Sequence, residues 1–177
     1  MNTYISMLRG INVGGQKKVR MGELKGLYES LGFGKVRTYI QSGNVLFEYR
    51  DTDRSSLVRK IERGIDDRFG FEVPVVIRTK DELQRVIANS PFAGKDDTKV
   101  HVTFLSAEPT GLTAEEISGA KDEAEEFSIS GNEIYLFCPN GYGVTKLSNA
   151  FLERKLKVSA TTRNWRTVKT LLSMAER

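Results

Sequence analysis

The order in which two hydrophobic periods alternate along the chain limits its fold more than any single motif. Alternating or continuous apolar segments, which predict strands, fall at about 3–8, 35–41, 44–50 and 72–79. They return at about 99–105, 125–130 and 132–138, with a shorter one at 158–162. Between them, apolar residues recur at helical spacing. Met21, Leu24, Leu27, Tyr28 and Leu31 line one face, and Leu57, Ile61, Ile65 and Phe69 line a second. Thr79-Lys80-Asp81-Glu82 and Thr113-Ala114-Glu115-Glu116 have the spacing of capping boxes. They open helices through Leu83, Val86 and Ile87 and through Ile117, Ala120 and Ala124. Leu147, Ala150 and Phe151 mark a fifth helix, and Trp165, Val168 and Leu172 a sixth, capped by Thr162 or Asn164.

Written as a string, the first 79 residues read β-α-β-β-α-β, the order of a ferredoxin-like unit, and residues from 98 to about 162 repeat it before a final helix. The expected architecture is therefore α+β, with two ferredoxin-like (βαββαβ) subdomains in tandem, a connecting helix and an extra C-terminal helix. The corresponding boundaries are 1–79, a helical linker over 80–97, and 98–177. A small textual echo accompanies the repeat: Ser42-Gly43-Asn44 and Ser130-Gly131-Asn132 each join the two central strands of a half. Turns favour these residues anyway, so the duplication rests on element order more than on the echo.

The 177 residues include one cysteine, Cys138, and one histidine, His101, which excludes a disulfide framework and a Cys- or His-rich metal site. Cys138 ends a strand and reads as a buried small hydrophobe; His101 sits alone on one face of its strand and reads as structural. No apolar run approaches the ~18 residues of a membrane span, and the first strand-like run is too short for a signal peptide. A cytoplasmic protein without a membrane partner is expected. Charge is unevenly spread. Residues 1–50 carry eight Lys/Arg against three Asp/Glu, residues 51–130 eleven against seventeen, and residues 131–177 eight against three. Basic ends flank an acidic middle, a layout suited to phosphates or nucleic acid if the ends meet, and otherwise to plain solvation of helix faces.

Three stretches could hold an anion. Arg9-Gly10-Ile11-Asn12-Val13-Gly14-Gly15-Gln16-Lys17-Lys18-Val19 joins the first strand to the first helix, with glycines that relax the backbone and cations beside an expected helix N-terminus. Gly10 and Gly15 have the spacing of a Walker A loop, but Gln16, Lys17 and Lys18 follow where Lys and Ser/Thr belong. A nucleotide-hydrolysing loop is thereby excluded. Pro139-Asn140-Gly141-Tyr142-Gly143-Val144-Thr145-Lys146 is the second, with Lys146 expected in the first turn of a helix, where a cation is unfavourable unless an anion offsets it. Thr161-Thr162-Arg163-Asn164-Trp165-Arg166 is the third; Trp165 begins an apolar stripe, leaving Arg163 and Arg166 to point elsewhere. Phe47 and Tyr49 share a strand face as bases-stacking aromatics do in RNA-binding sheets, yet the RNP1 opening is missing and both read as core.

Four motifs, LRGINVGGQKKVRM at 8–21, RTYIQSGNVLF at 37–47, the Gly-Tyr-Gly-Val-Thr-Lys-Leu stretch at 141–147 and TTRNWRTVKTLL at 161–172, resemble the prokaryotic family numbered 1697 among domains of unknown function. The resemblance runs through nearly the whole chain in motif order. It implies two ferredoxin-like subdomains and no particular activity. It marks Arg9, Gly10, Asn12, Gly14, Gly15, Lys17, Gln41, Ser42, Gly43, Asn44, Lys146, Arg163, Asn164, Trp165 and Arg166 as motif positions.

The expected function is binding of a phosphate-bearing ligand, with nucleic acid the leading class, through a basic surface built from the first loop and the C-terminal motifs. The expected ligand-binding residues are Arg9, Gly10, Asn12, Gly14, Gly15, Lys17, Lys18, Gln41, Ser42, Asn44, Lys146, Arg163, Asn164 and Arg166. No metal or cofactor is expected, and no catalytic residue is identified. Two alternatives stay open: a small enzyme in which Arg9, Lys17 and Arg163 hold an anionic metabolite that Asn12, Gln41 or Asn44 orients, and a protein–protein module for an acidic partner.

Overall fold

A computed structural model of the chain describes residues 1–109 and 114–177. They divide into two compact units, Met1–Gln84 with Leu171–Arg177, and Arg85–Thr170.

In the first unit the elements run β1 (Asn2–Leu8), α1 (Met21–Ser30), β2 (Gly34–Tyr39), β3 (Asn44–Tyr49), α2 (Arg54–Phe69) and β4 (Val75–Thr79), and the chain then enters α3 (Lys80–Ala88), of which the residues up to Gln84 belong to this unit. The strands form one antiparallel sheet in the order β2-β3-β1-β4. The expected alternation is what closes its core. Tyr4, Leu8, Val45, Phe47, Val75 and Ile77 turn to one side, where Leu24 and Tyr28 of α1 and Leu57, Ile61 and Ile65 of α2 cover them. Tyr4 pairs directly with Phe47, and their rings stack at 5.6 Å. The buried Tyr28 hydroxyl is satisfied by Ser6 Oγ at 2.7 Å, which allows a polar group within this layer. Ile5, Met7, Leu46 and Val76, on the opposite face, are buried as well. Leu171–Arg177 also belong here: Arg37 Nη1 donates to the carbonyl of Met174 at 2.6 Å.

Helix ends follow sequence chemistry. Asp53 caps α2 by accepting from the Ser56 N–H at 2.9 Å, and Gly70 ends it at φ +80°. The capping box before α3 forms reciprocally: Glu82 accepts from the Thr79 N–H at 2.8 Å, and Thr79 Oγ1 accepts from the Glu82 N–H at 3.2 Å. Its counterpart at Thr113 lies outside the described residues.

The second unit repeats the design with β5 (Val100–Leu105), α4 (Ala114–Ala120), β6 (Glu126–Ser130), β7 (Glu133–Phe137), α5 (Asn149–Leu156) and β8 (Ala160–Asn164), its sheet ordered β6-β7-β5-β8, and β8 leads into α6 (Trp165–Ala175), of which the residues up to Thr170 belong to this unit. Leu105, Ile134, Leu136, Cys138 and Ala160 pack with Ile117 of α4 and Leu152 and Leu156 of α5. The last strand reaches Asn164, two residues beyond the expected segment, because Thr161 to Asn164 continue the ladder with β5. Of the two expected caps for α6, Asn164 acts: its Oδ1 accepts from the Thr167 N–H at 2.8 Å. Thr162 instead shares a hydrogen bond with Thr103 and donates to Asn149 Oδ1, both at 2.7 Å.

A deeper repeat appears at the ends of the fourth strands. Arg78 and Arg163 are each penultimate in their strand, each buried, and each donates from Nη1 to the carbonyl of the preceding residue, at 2.9 and 3.0 Å. Thr79 and Asn164, the next residues, cap the following helices. Among the described residues, no helix is long and apolar enough to cross a membrane.

Candidate functional site

The glycine loop between β1 and α1 folds as a small β-hairpin. Val13 bridges Gln16, the Gln16 N–H donates to the Val13 carbonyl at 3.0 Å, and the Asn12 N–H donates to the Lys17 carbonyl at 3.1 Å. Gly14 and Gly15, at φ +59° and +74°, supply the two left-handed positions of a type I′ turn. Five residues tie the arm to the domain. Ile11 and Val19 sink into the core, and Asn12 holds both branches: its Nδ2 donates to the carbonyls of Val19 and Gln41 at 3.0 and 2.8 Å, and its Oδ1 accepts from the Val19 N–H at 2.8 Å. Lys17 Nζ donates to the Glu72 carbonyl at 2.6 Å, and the Arg9 N–H to the Pro74 carbonyl at 2.9 Å. The run from Val13 to Lys18 is exposed throughout, Val13 at 65%. Helix α1 begins only at Met21, after Arg20, which makes no side-chain cap. The glycines therefore shape an exposed tip and not the amide rim of a helix N-terminus.

The Tyr39–Asn44 turn adjoins this arm. Asn44 is buried and donates to the Tyr39 carbonyl at 2.9 Å and to Ser42 Oγ at 3.0 Å, so it sets the turn from within. Gly43 sits at φ +88°, and a Cβ there would lie 2.7 Å from Ile11 Cδ1. Ile40, β-branched and 47% exposed, is held at φ +48°. The first two motifs thus meet within the first unit, with Asn12 bonded to Gln41 and Ile11 packed on Gly43.

The other two motifs meet within the second unit. Tyr142 stacks on His101 at 4.9 Å, and His101 pairs with Asn164 across the β5–β8 ladder. Burial pushes the His101 imidazole below its usual range, the Lys99 main chain partly opposing. Arg163 is only 6% exposed. Its Nη1 donates to Thr161 Oγ1 at 2.7 Å, and burial pushes its pKa down to about 10, with Tyr142 opposing. This side chain lies inside the unit, because strand β8 and not the helix start carries it. Lys146 is exposed but outside α5, which opens at Asn149 under a Ser148 cap accepting from the Phe151 N–H at 3.2 Å. The helix-dipole argument for Lys146 consequently does not apply. Arg166, in the first turn of α6, is exposed, while the Asn164 side chain serves as its cap.

Of the expected ligand-binding residues, Asn12, Ser42, Asn44 and Asn164 have hydrogen-bonding duties within the fold, and Gly10, Gly14 and Gly15 supply left-handed backbone. Lys18, Lys146 and Arg166 are exposed and, among the described residues, make no ion pair. Arg20, unselected by motif reasoning, shares that state at the base of the arm. Its signal was available as the next basic residue after Lys18.

Two four-stranded antiparallel sheets of this strand order, each with helices against it, define a tandem ferredoxin-like α+β protein. The chain belongs to the family described as a protein of unknown function (DUF1697), which it matches over residues 1–135. That stretch includes the arm and the Tyr39–Asn44 turn, while the Lys146 and Arg163 motifs follow it. The structure is similar to that of the conserved bacterial protein SP0830 from Streptococcus pneumoniae, with a TM-score of 0.76 and 25% sequence identity over 98% of each chain. Comparison with curated proteins yields no match.

Proposed function

We propose that the chain binds a phosphate-bearing polymer, nucleic acid by preference, through the glycine-tipped arm of its first unit. The observation that carries this reading is the exposed Val13–Lys18 run, with Lys18 and Arg20 outward and both side-chain polar atoms of Asn12 engaged in holding the arm in place. A two-stranded ribbon with a bare tip and flanking cations is suited to phosphate backbones, and its fixed base lowers the ordering entropy of binding. Within the second unit, taken by itself, Lys146 and Arg166 are exposed cations. Arg163, buried within the second unit, is left out of this reading.

Fluorescence anisotropy with a labelled oligonucleotide tests the reading. Affinity should fall steeply between about 50 and 200 mM salt, and Lys18→Ala with Arg20→Ala should reduce the log–log salt slope by about 1.5. Absence of binding at low salt, or a slope unchanged in the double variant, refutes it.

A further inference from the structure

We infer that the groove between α1 and α2 is a binding site for a small hydroxylated phosphomonoester, distinct from the arm. The groove is a cavity of about 370 Å³ lined by Leu31, Ser56, Arg59, Lys60, Arg63, Gly64 and Asp67, within the range of small-ligand clefts. Apart from Leu31, these residues are spaced three, four and seven apart along one stripe of α2, adjacent to the core stripe of Leu57, Ile61 and Ile65.

The chemistry along the stripe is graded. Arg59 and Arg63 stand one turn apart, and two guanidinium forks at that spacing can share the oxygens of one phosphate dianion. Arg59 Nη2 donates to Ser56 Oγ at 3.1 Å, so the first fork is already oriented. Arg63, among the described residues, makes no ion pair or hydrogen bond, leaving its donors for a ligand. Lys60 holds its ammonium 4.9 Å from the Tyr49 ring and 5.2 Å from that of Phe33, adding a fixed positive charge at the wall. Leu31 and Gly64 form an apolar floor. Gly64 stays bare because a Cβ there would lie 3.3 Å from Leu31 Cδ1.

Asp67 decides the ligand class. A carboxylate at the far end of the stripe repels a second phosphate, which disfavours a nucleic-acid strand running through the groove, and accepts hydrogen bonds from hydroxyl groups. Arg59 lies ten residues before the end of α2, about 15 Å along the helix axis, whereas the arm touches the chain at Glu72, beyond that end. The two sites are therefore separately addressable.

Isothermal titration calorimetry with glucose 6-phosphate, inorganic phosphate and glucose is the test. Glucose 6-phosphate should bind saturably, inorganic phosphate more weakly, and glucose not at all. Arg59→Ala and Arg63→Ala should each weaken glucose 6-phosphate by about tenfold or more, Arg63→Lys should weaken it less, and Lys18→Ala with Arg20→Ala should leave it unchanged. Both arginines are exposed, so thermal denaturation should show the variants folded. No saturable binding, equal binding of glucose, or affinity indifferent to both arginine substitutions overturns the inference. Loss of binding in the arm variant alone overturns it too.

Discussion

Gly43 and Gly131 occupy the same place in the same tripeptide, yet their surroundings give them different weight. Both have positive φ, +88° and +56°, which a side chain adopts at a penalty of about 1–2 kcal/mol. At Gly43 an added Cβ would also meet Ile11 Cδ1 at 2.7 Å and Leu8 Cβ at 2.9 Å, whereas at Gly131 nothing lies within 4 Å. Gly43→Ala should therefore destabilise by about 2–4 kcal/mol, combining backbone strain with overpacking, and Gly131→Ala by about 1 kcal/mol. Urea-unfolding free energies of the two variants measure the difference, and equal losses would contradict this account of the turn. The Ser-Gly-Asn echo is visible in the sequence; the second constraint on Gly43 is not, since Ile11 is thirty-two positions away and reaches it only through the arm.

Local chemistry also predicts how elements end, and burial then adjusts its strength. Glu82 completes the capping box of α3 and pairs with Arg54 at 2.7 Å. Burial raises its pKa, but the Arg54 hydrogen bond, the Thr79 N–H and the charges of Arg54 and Arg78 together hold it below the ordinary glutamate value. A carboxylate depressed in the folded state contributes stability above its unfolded pKa, near 4.3, and loses it as pH falls through the folded value. Asp53, whose carboxylate is lowered by its Ser56 hydrogen bonds, acts in the same direction. Unfolding free energy should thus decline below about pH 4.5, and Glu82→Gln should be less stable at pH 7 yet lose less between pH 6 and pH 3. Parallel pH profiles for the two proteins would remove Glu82 from the explanation. The capping box was legible because a helix start is decided within four residues, whereas the Arg54 partnership depends on bringing residues twenty-eight apart together.

At the scale of the whole molecule the duplication extends from strand order to buried chemistry, with Arg78 and Arg163 as counterparts and a lone thiol inside the second unit. Cys138 is 1% exposed, and burial, reinforced by Glu125, pushes its pKa up to about 12. The folded protein should resist a thiol-disulfide reagent at pH 8 and titrate one thiol after denaturation; rapid modification of the native protein would show that the second unit opens more readily than its packing implies. The sequence by itself determined the succession of strands and helices, the hairpin turns and the caps, because periodicity and capping act over a few residues. Only the tertiary structure decided the fate of the charged motifs. Remote carbonyls at Gln41 and Glu72 anchor the glycine loop as an arm, the β8 ladder carries Arg163 into the interior, and Ser148 starts α5 too late to include Lys146. A side chain's direction at the end of an element is set by neighbours distant in sequence, and for the same reason the Arg59–Arg63 stripe gained an apolar floor only where Leu31, at the end of α1, packs beside Gly64.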